Sequence, residues 1–276
     1  MTIRDLLDLA RGKLAASDSA GIDAELLLGH ALEVKRSFLY ANPGLDVPAR
    51  RRSRFLELVR RRQQGEPIAY LIGRRPFWTL DLEVTPDVLI PRPETELLVE
   101  CALERLPAAS SRRVADLGTG SGAIALAIAR ERPACEVHAT DCSKAALALA
   151  QRNARRHGLD RVCFHAGNWA EPLNGSFDLI VSNPPYVARD DAHLSTGDCR
   201  FEPEMALTPG QSGMEAFVEI TATAGARLQA GGWLLLEHGF DQAEALQALL
   251  DQHHYREIQC VKDLAGHDRV CIARKH

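Results

Sequence analysis

Apolar side chains recur at helical spacing along the start of the chain: Ile3, Leu6, Leu7, Ala10 and Leu14, then Leu27, Leu28, Ala31 and Leu32. Pro48 opens a third segment of the same kind that would bury Phe55, Leu56 and Val59. The first ~70 residues therefore predict a small helical bundle. From Phe77 to Ile90 the period drops to two, with Trp78, Leu80, Leu82 and Val84 alternating with Thr79, Asp81 and Glu83. With Pro86-Asp87 as a turn, that stretch predicts a β-hairpin linker, ended by Pro91 and Pro93.

After Glu94, a helix carrying Leu97, Leu98, Cys101 and Ala102 leads into short apolar runs at 114–117, 137–140, 162–164, 179–182 and 233–236, separated by helical stretches. Such alternation is the pattern of a doubly wound parallel sheet. Runs at 258–261 and 270–273 flank Gly266-His267-Asp268 and predict an antiparallel hairpin that closes the sheet. Neither an internal repeat nor a low-complexity tract is present.

At 276 residues, 46% hydrophobic and 25% charged, the chain has room for one large domain and a smaller one. Its net charge of -4 gives no overall basic field of the kind that holds a protein on nucleic acid, although a local basic patch is compatible with it. The seven cysteines (Cys101, Cys135, Cys142, Cys163, Cys199, Cys260, Cys271) are odd in number, scattered and never spaced as C-x-x-C. That argues against a disulfide framework and a zinc site, and fits a reducing cytoplasm. Charges at Arg4 and Asp5 and the lack of a long apolar run argue against a signal peptide or a membrane span.

Asp116-Leu117-Gly118-Thr119-Gly120-Ser121-Gly122-Ala123 falls where the first strand of the large domain ends and an Ala/Ile-rich helix begins. Glycines there let the backbone turn sharply and approach a ligand. Asp141, at the end of the next strand and about 20 residues on, is placed to accept from two ribose hydroxyls. Together they predict a nucleotide-cofactor site, without choosing the cofactor, since Gly118-x-Gly120-x-x-Ala123 also meets the relaxed fingerprint of NAD enzymes. No Lys-Ser or Lys-Thr follows, so a P-loop is excluded. Asn168 and Trp169, after the third strand, supply a polar contact and an aromatic face for adenine; a tryptophan serving only the core is the plain alternative.

The strand at 179–182 runs directly into Asn183-Pro184-Pro185-Tyr186, at a carboxyl edge where open α/β sheets bind ligands. Two prolines fix two φ angles and leave carbonyl acceptors without competing N–H groups. The Asn183 side-chain oxygen and a proline carbonyl could each take one N–H of a planar –NH2 group while Tyr186 stacks on its face. Positive charge that grows on that nitrogen during methylation would be stabilised by the fixed carbonyl dipoles. No catalytic acid or base is needed, because the alkylated nitrogen readily loses its own proton.

These residues resemble the protein-(glutamine-N5) methyltransferases that modify the Gly-Gly-Gln glutamine of peptide chain release factors. The likeness covers nearly the whole chain and rests on Gly65-Glu66-Pro67-Ile68-Ala69-Tyr70, Leu89-Ile90-Pro91-Arg92-Pro93-Glu94-Thr95-Glu96, the Asp116 loop, Asn183-Pro184-Pro185-Tyr186 and Arg200-Phe201-Glu202-Pro203. It implies an α/β fold: a Rossmann-like seven-stranded methyltransferase domain (93–276), a helical domain (1–75) that docks the substrate, and the hairpin linker (76–92). It also implies S-adenosyl-L-methionine as cofactor, held by Gly118, Thr119, Gly120, Ser121, Gly122, Asp141, Asn168, Trp169 and Asn183. The catalytic and substrate-binding residues would be Asn183, Pro184, Pro185 and Tyr186, with class 1 release factors as partners and no direct nucleic-acid binding. Asn168 departs from the family's usual acidic residue, which puts the strength of that donor contact in doubt.

Arg50, Arg51, Arg52, Arg54, Arg60, Arg61 and Arg62 give the third N-terminal segment a basic face for acidic release-factor surface, or simply for solvent. Arg92, Glu94 and Glu96 would shape a loop over the donor or cap local structure. Rival readings are a DNA adenine-N6 methyltransferase, which needs a basic groove for a flipped base, a small-molecule N-methyltransferase, an NAD oxidoreductase and a non-catalytic module on the translation machinery.

Overall fold

Thr2 opens the first helix by accepting from the Asp5 N–H at 3.2 Å while the Asp5 carboxylate accepts from the Thr2 N–H at 2.8 Å, a reciprocal cap that satisfies two otherwise orphaned donors. The computed structural model describes residues 1–109 and 111–276 and separates into two units, Met1–Arg74 and Arg75–His276. Unit one holds α1 (Ile3–Lys13), α2 (Ala20–Leu32), α3 (Arg36–Ala41), α4 (Ala49–Gln63) and α5 (Ile68–Ile72). Ile3, Leu6, Leu27, Leu28, Phe55 and Val59 are fully buried in its core. In α4 the core takes Leu58 with Phe55 and Val59, three and four residues apart, whereas Leu56 sits at the rim.

The basic face expected on α4 is mostly neutralised within unit one. Arg51 and Arg54 pair with Glu33, Arg60 with Glu57, Arg61 with Glu66, and Arg62 with the buried Asp23. Arg50 and Arg52 keep no such partner among the described residues.

A hairpin of β1 (Arg74–Phe77) and β2 (Leu80–Glu83) stands at the start of unit two, its first residue the last of unit one. Its turn lies at Trp78-Thr79, not at the expected Pro86-Asp87. Trp78 takes φ 54° and donates its N–H to Glu96 Oε1 at 2.8 Å, which fixes the reversal there. Thr85 and Asp87 form a separate side-chain turn beyond the strand.

The main elements follow as α6 (Glu96–Arg105), β3 (Arg113–Leu117), α7 (Ala123–Glu131), β4 (Glu136–Asp141), α8 (Lys144–Arg156), β5 (Cys163–Ala166) and β6 (Phe177–Ser182). After them come α9 (Glu204–Leu207), α10 (Glu215–Arg227), β7 (Leu228–Glu237), α11 (Ala243–Gln252), β8 (Arg256–Lys262) and β9 (Asp268–Arg274). Among the described residues the sheet has seven strands in the order β5-β4-β3-β6-β7-β9-β8, parallel except at β9. Its strands are apolar on both sides: Leu179 and Val181 face the core under α6 and α7, while Phe177 and Ile180 face the core under α10 and α11. The order reverses at β3, where crevices for ligands open at the carboxyl edge.

The antiparallel register sets Cys260 of β8 opposite Cys271 of β9, and the two are joined as a disulfide. Cysteine number and spacing predict no disulfide; this one is a local cross-strand link that pairing across the sheet makes visible and spacing does not. No described helix is long and apolar enough to cross a membrane.

Candidate active site

Register brings the two sequence motifs together. Leu117 of β3 is level with Thr140 of β4 and with Ser182 of β6, and Ser182 Oγ donates to the Leu117 carbonyl at 2.7 Å. The glycine loop, Asp141 and Asn183 therefore leave the sheet at one height.

Asp116, fully buried, organises the loop from below. Its Oδ2 accepts from Thr119 Oγ1 at 2.7 Å and from the Ala125 N–H at 3.1 Å. Burial pushes its carboxyl up to about 7, against the lowering effect of those two bonds, and its Oδ1 has no hydrogen-bond partner. Gly118 takes φ 71°, and a Cβ there would meet the Trp169 ring at 3.4 Å. At Gly122, φ 87° comes with a closer constraint, since a Cβ would lie 3.1 Å from Leu126 and 3.2 Å from Ala150.

Asp141 accepts from the Gly120 N–H at 2.9 Å through Oδ2 and from the Ser143 N–H at 2.8 Å through Oδ1. It shapes the loop and keeps lone pairs on both oxygens for a ligand. Burial raises its carboxyl above the ordinary range, and these backbone donors counter that in part. Asn153 of α8, fully buried, ties the loop to the hairpin: it donates to the Ser121 carbonyl at 2.9 Å and to the Glu83 carbonyl at 3.0 Å, and accepts from the Glu83 N–H at 2.7 Å.

A cavity of about 350 Å³ opens over these groups, a size that suits a small-molecule cofactor. Of the residues singled out in the sequence, Gly118, Thr119, Gly120, Ser121, Asp141, Asn168, Trp169, Asn183 and Pro185 line it. Trp169, at φ 41°, is held by its Nε1, which donates to Glu219 Oε2 of α10 at 2.6 Å. Asn168 is exposed at the cavity wall.

Three of the expected residues stand elsewhere. Gly122 is turned into the packing beneath α7, and Pro184 is buried. Tyr186 does not offer its ring to the cavity: it packs on the α10 and α11 side, and its hydroxyl donates to Glu237 Oε1 at 3.4 Å. Burial and the nearby Glu237 carboxylate raise the Tyr186 phenol well above its ordinary range. The Tyr186 carbonyl is already engaged by Gln242 Nε2 at 3.0 Å.

The site also holds residues that the sequence motifs do not mark as functional. Thr95 lines the cavity and accepts from Asn183 Nδ2 at 3.0 Å. It stood within the Ile90-to-Glu96 motif without a role. Glu237 and Glu219 carried no local signal at all. Arg92 pairs with Glu202, whose Oε1 also accepts from the Ile90 N–H at 3.0 Å, so two motifs quoted for the resemblance are in direct contact.

Comparison with known proteins bears on the chain as a whole. Residues 94–202 match the methyltransferase small domain model and residues 5–73 the PrmC N-terminal domain model. A release factor glutamine methyltransferase of Xylella fastidiosa (strain 9a5c) is 54% identical over 254 residues, 92% of each chain. A Yersinia pestis protein of the same name is 46% identical over 274 residues, 99% of each chain. Among solved structures, a methyltransferase from Pyrococcus furiosus superposes with a TM-score of 0.54 at 20% identity, covering 78% of this chain and 96% of its own, a likeness of fold.

Proposed function

The chain belongs to the release factor glutamine methyltransferase family, and from that premise we propose that it methylates N5 of the glutamine in the Gly-Gly-Gln motif of class 1 peptide chain release factors, using S-adenosyl-L-methionine, in the cytoplasm. The observation that carries the reading is the Asn183 carboxamide at the cavity wall. One N–H of its Nδ2 goes to Thr95, which sets how the carboxamide is turned, and Oδ1 keeps its lone pairs for a ligand.

The residues present fit the donor. Asp141 has lone pairs for a pair of ribose hydroxyls, the Trp169 ring offers a flat apolar face, and Gly120 has nothing within 4 Å of where a Cβ would stand. In this reading Gly118, Thr119, Gly120, Ser121, Asp141, Asn168 and Trp169 hold S-adenosyl-L-methionine, with Gly122 shaping the loop from behind. The cofactor supplies an electrophilic methyl group on a sulfonium sulfur.

The chain's own part is to present the nitrogen. Asn183 Oδ1 and a proline carbonyl accept one N–H each, which fixes the amide plane and its distance. Their dipoles stabilise the positive charge on the nitrogen more in the transition state than before it. Tyr186 acts from underneath, with its ring and hydroxyl holding the Pro185 turn in place rather than stacking on the substrate.

A net charge of -4 and the internal pairing on α4 favour a protein substrate over a nucleic acid. Helical unit one would dock the release factor, with Arg50 and Arg52 as the α4 cations left without an acid partner among the described residues. The test is to incubate the protein with labelled methyl donor and, separately, intact release factor, a Gly-Gly-Gln peptide, free glutamine analogues and duplex DNA. Label is expected on the Gly-Gly-Gln glutamine of the release factor. Label on DNA alone, or glutamine analogues turned over as fast as the whole protein, would overturn the assignment.

A further inference from the structure

Asn183 can clamp an amide only if its carboxamide faces the right way, because a reversed side chain would present an –NH2 to the substrate's own –NH2. Its orientation depends on what Thr95 Oγ1 does. A hydroxyl can accept from Asn183 Nδ2 or donate to Asn183 Oδ1, and the choice is set by where its proton goes.

Thr95 is 4% exposed, so water is a poor destination for that proton. Beside it lies Glu237, the last residue of β7 and 1% exposed, whose carboxylate faces the hydroxyls of Thr95 and Tyr186. Tyr186 occupies Oε1, whereas Oε2 is buried with no hydrogen-bond partner. A buried carboxylate oxygen without a donor is costly, and the Thr95 hydroxyl, near enough to hold the Glu237 carboxyl down by hydrogen bonding, is a donor beside it. Two charged groups also act on Glu237: Arg269 of β9, which steadies its negative charge, and Glu94, which opposes it.

We propose that Thr95 and Glu237 are positioning residues for methyl transfer: the Glu237 carboxylate accepts a hydrogen bond from the Thr95 hydroxyl, Thr95 Oγ1 is then left to accept from Asn183, and Asn183 Oδ1 is held towards the substrate nitrogen. This rests on the reading of Asn183 as the amide clamp. Burial pushes the Glu237 carboxyl up to about 7. Once protonated, Glu237 carries a donor of its own, Thr95 no longer has to donate to it, and the lock on Asn183 is released. Turnover should therefore rise as pH climbs through about 7.

The experiment compares wild type with Thr95→Val, Thr95→Ser, Glu237→Gln and Asn183→Ala, measuring kcat against pH and, by calorimetry, the Kd for S-adenosyl-L-methionine. Thr95→Val should lose roughly tenfold or more in kcat with donor Kd little changed, and Thr95→Ser should recover most of it. In Glu237→Gln the limb of the pH profile near neutrality should vanish. Full kcat in Thr95→Val, or an unchanged limb in Glu237→Gln, would overturn the proposal. Wild-type turnover in Asn183→Ala would instead sink the clamp itself, so the two failures are distinguishable.

Discussion

Arg92 and Glu202 stand 110 residues apart in sequence and form one ion pair, in which the carboxylate side chain is wholly buried and the guanidinium about 29% exposed. The pair joins the segment entering α6 to the segment entering α9, and Arg92 lines the cavity. Burial raises the Glu202 carboxyl; the Arg92 charge is the chief force against that rise.

Arg92→Ala should therefore cost about 3 kcal/mol of stability, because Glu202 is left as an uncompensated buried charge. Replacing both by apolar residues, Arg92→Met with Glu202→Leu, should cost less than the single change. Urea unfolding of the three proteins checks this, and equal losses in single and double variants would disprove it.

Asp141→Asn keeps an oxygen but removes the charge that accepts from Gly120 and Ser143. The Kd for S-adenosyl-L-methionine should rise roughly tenfold to a hundredfold, the range for losing a charged hydrogen bond. Isothermal titration gives the value directly; an unaltered Kd would separate Asp141 from the donor.

Asp116 makes stability depend on pH. Its carboxyl is held protonated in the fold up to about 7, whereas in the unfolded chain it ionises near ~4. The folded chain thus holds the extra proton between those values. The stabilisation from this group is complete below pH ~4 and is lost as pH rises towards about 7. In Asp116→Asn that part of the decline should disappear, which thermal melts at pH about 5 and about 8 would register as a smaller difference than in wild type.

Reducing the Cys260–Cys271 link should lower stability by about 3 kcal/mol, since it closes a short loop with a sequence separation of 11. Melting curves with and without reductant measure it. Cys260→Ser should melt like the reduced protein in both conditions.

Long-period features were legible in the sequence because they are written locally. The apolar runs of the seven strands and the glycine loop each depend on residues a few positions apart. What stayed hidden depended on register. Glu237 ends a strand that reads as plain apolar sequence, and only the β6–β7 pairing brings it under Tyr186. Tyr186 follows two prolines that suggest an exposed clamp, yet its ring goes to the core because the sheet face below it is apolar. The place of the hairpin turn is hidden for a similar reason: Leu80 to Glu83 form one strand, and a positive φ at Trp78 reverses the chain before it. On α4, spacing showed seven arginines on a helix, while the acids that neutralise most of them come from α2, from the α2–α3 turn and from the segment beyond α4.

The placement of β9 between β7 and β8 also fixes an order of events during synthesis. Of the sheet's strands β9 is translated last, yet it is an interior one, so the edge of β7 must wait unpaired while α11 and β8 emerge. Arg269, the cation that steadies Glu237, arrives on that same strand. A nascent chain that already carries the glycine loop and Asn-Pro-Pro-Tyr thus still lacks the strand that brings Arg269 to Glu237, and the proposed site is complete only when the final insertion closes the sheet.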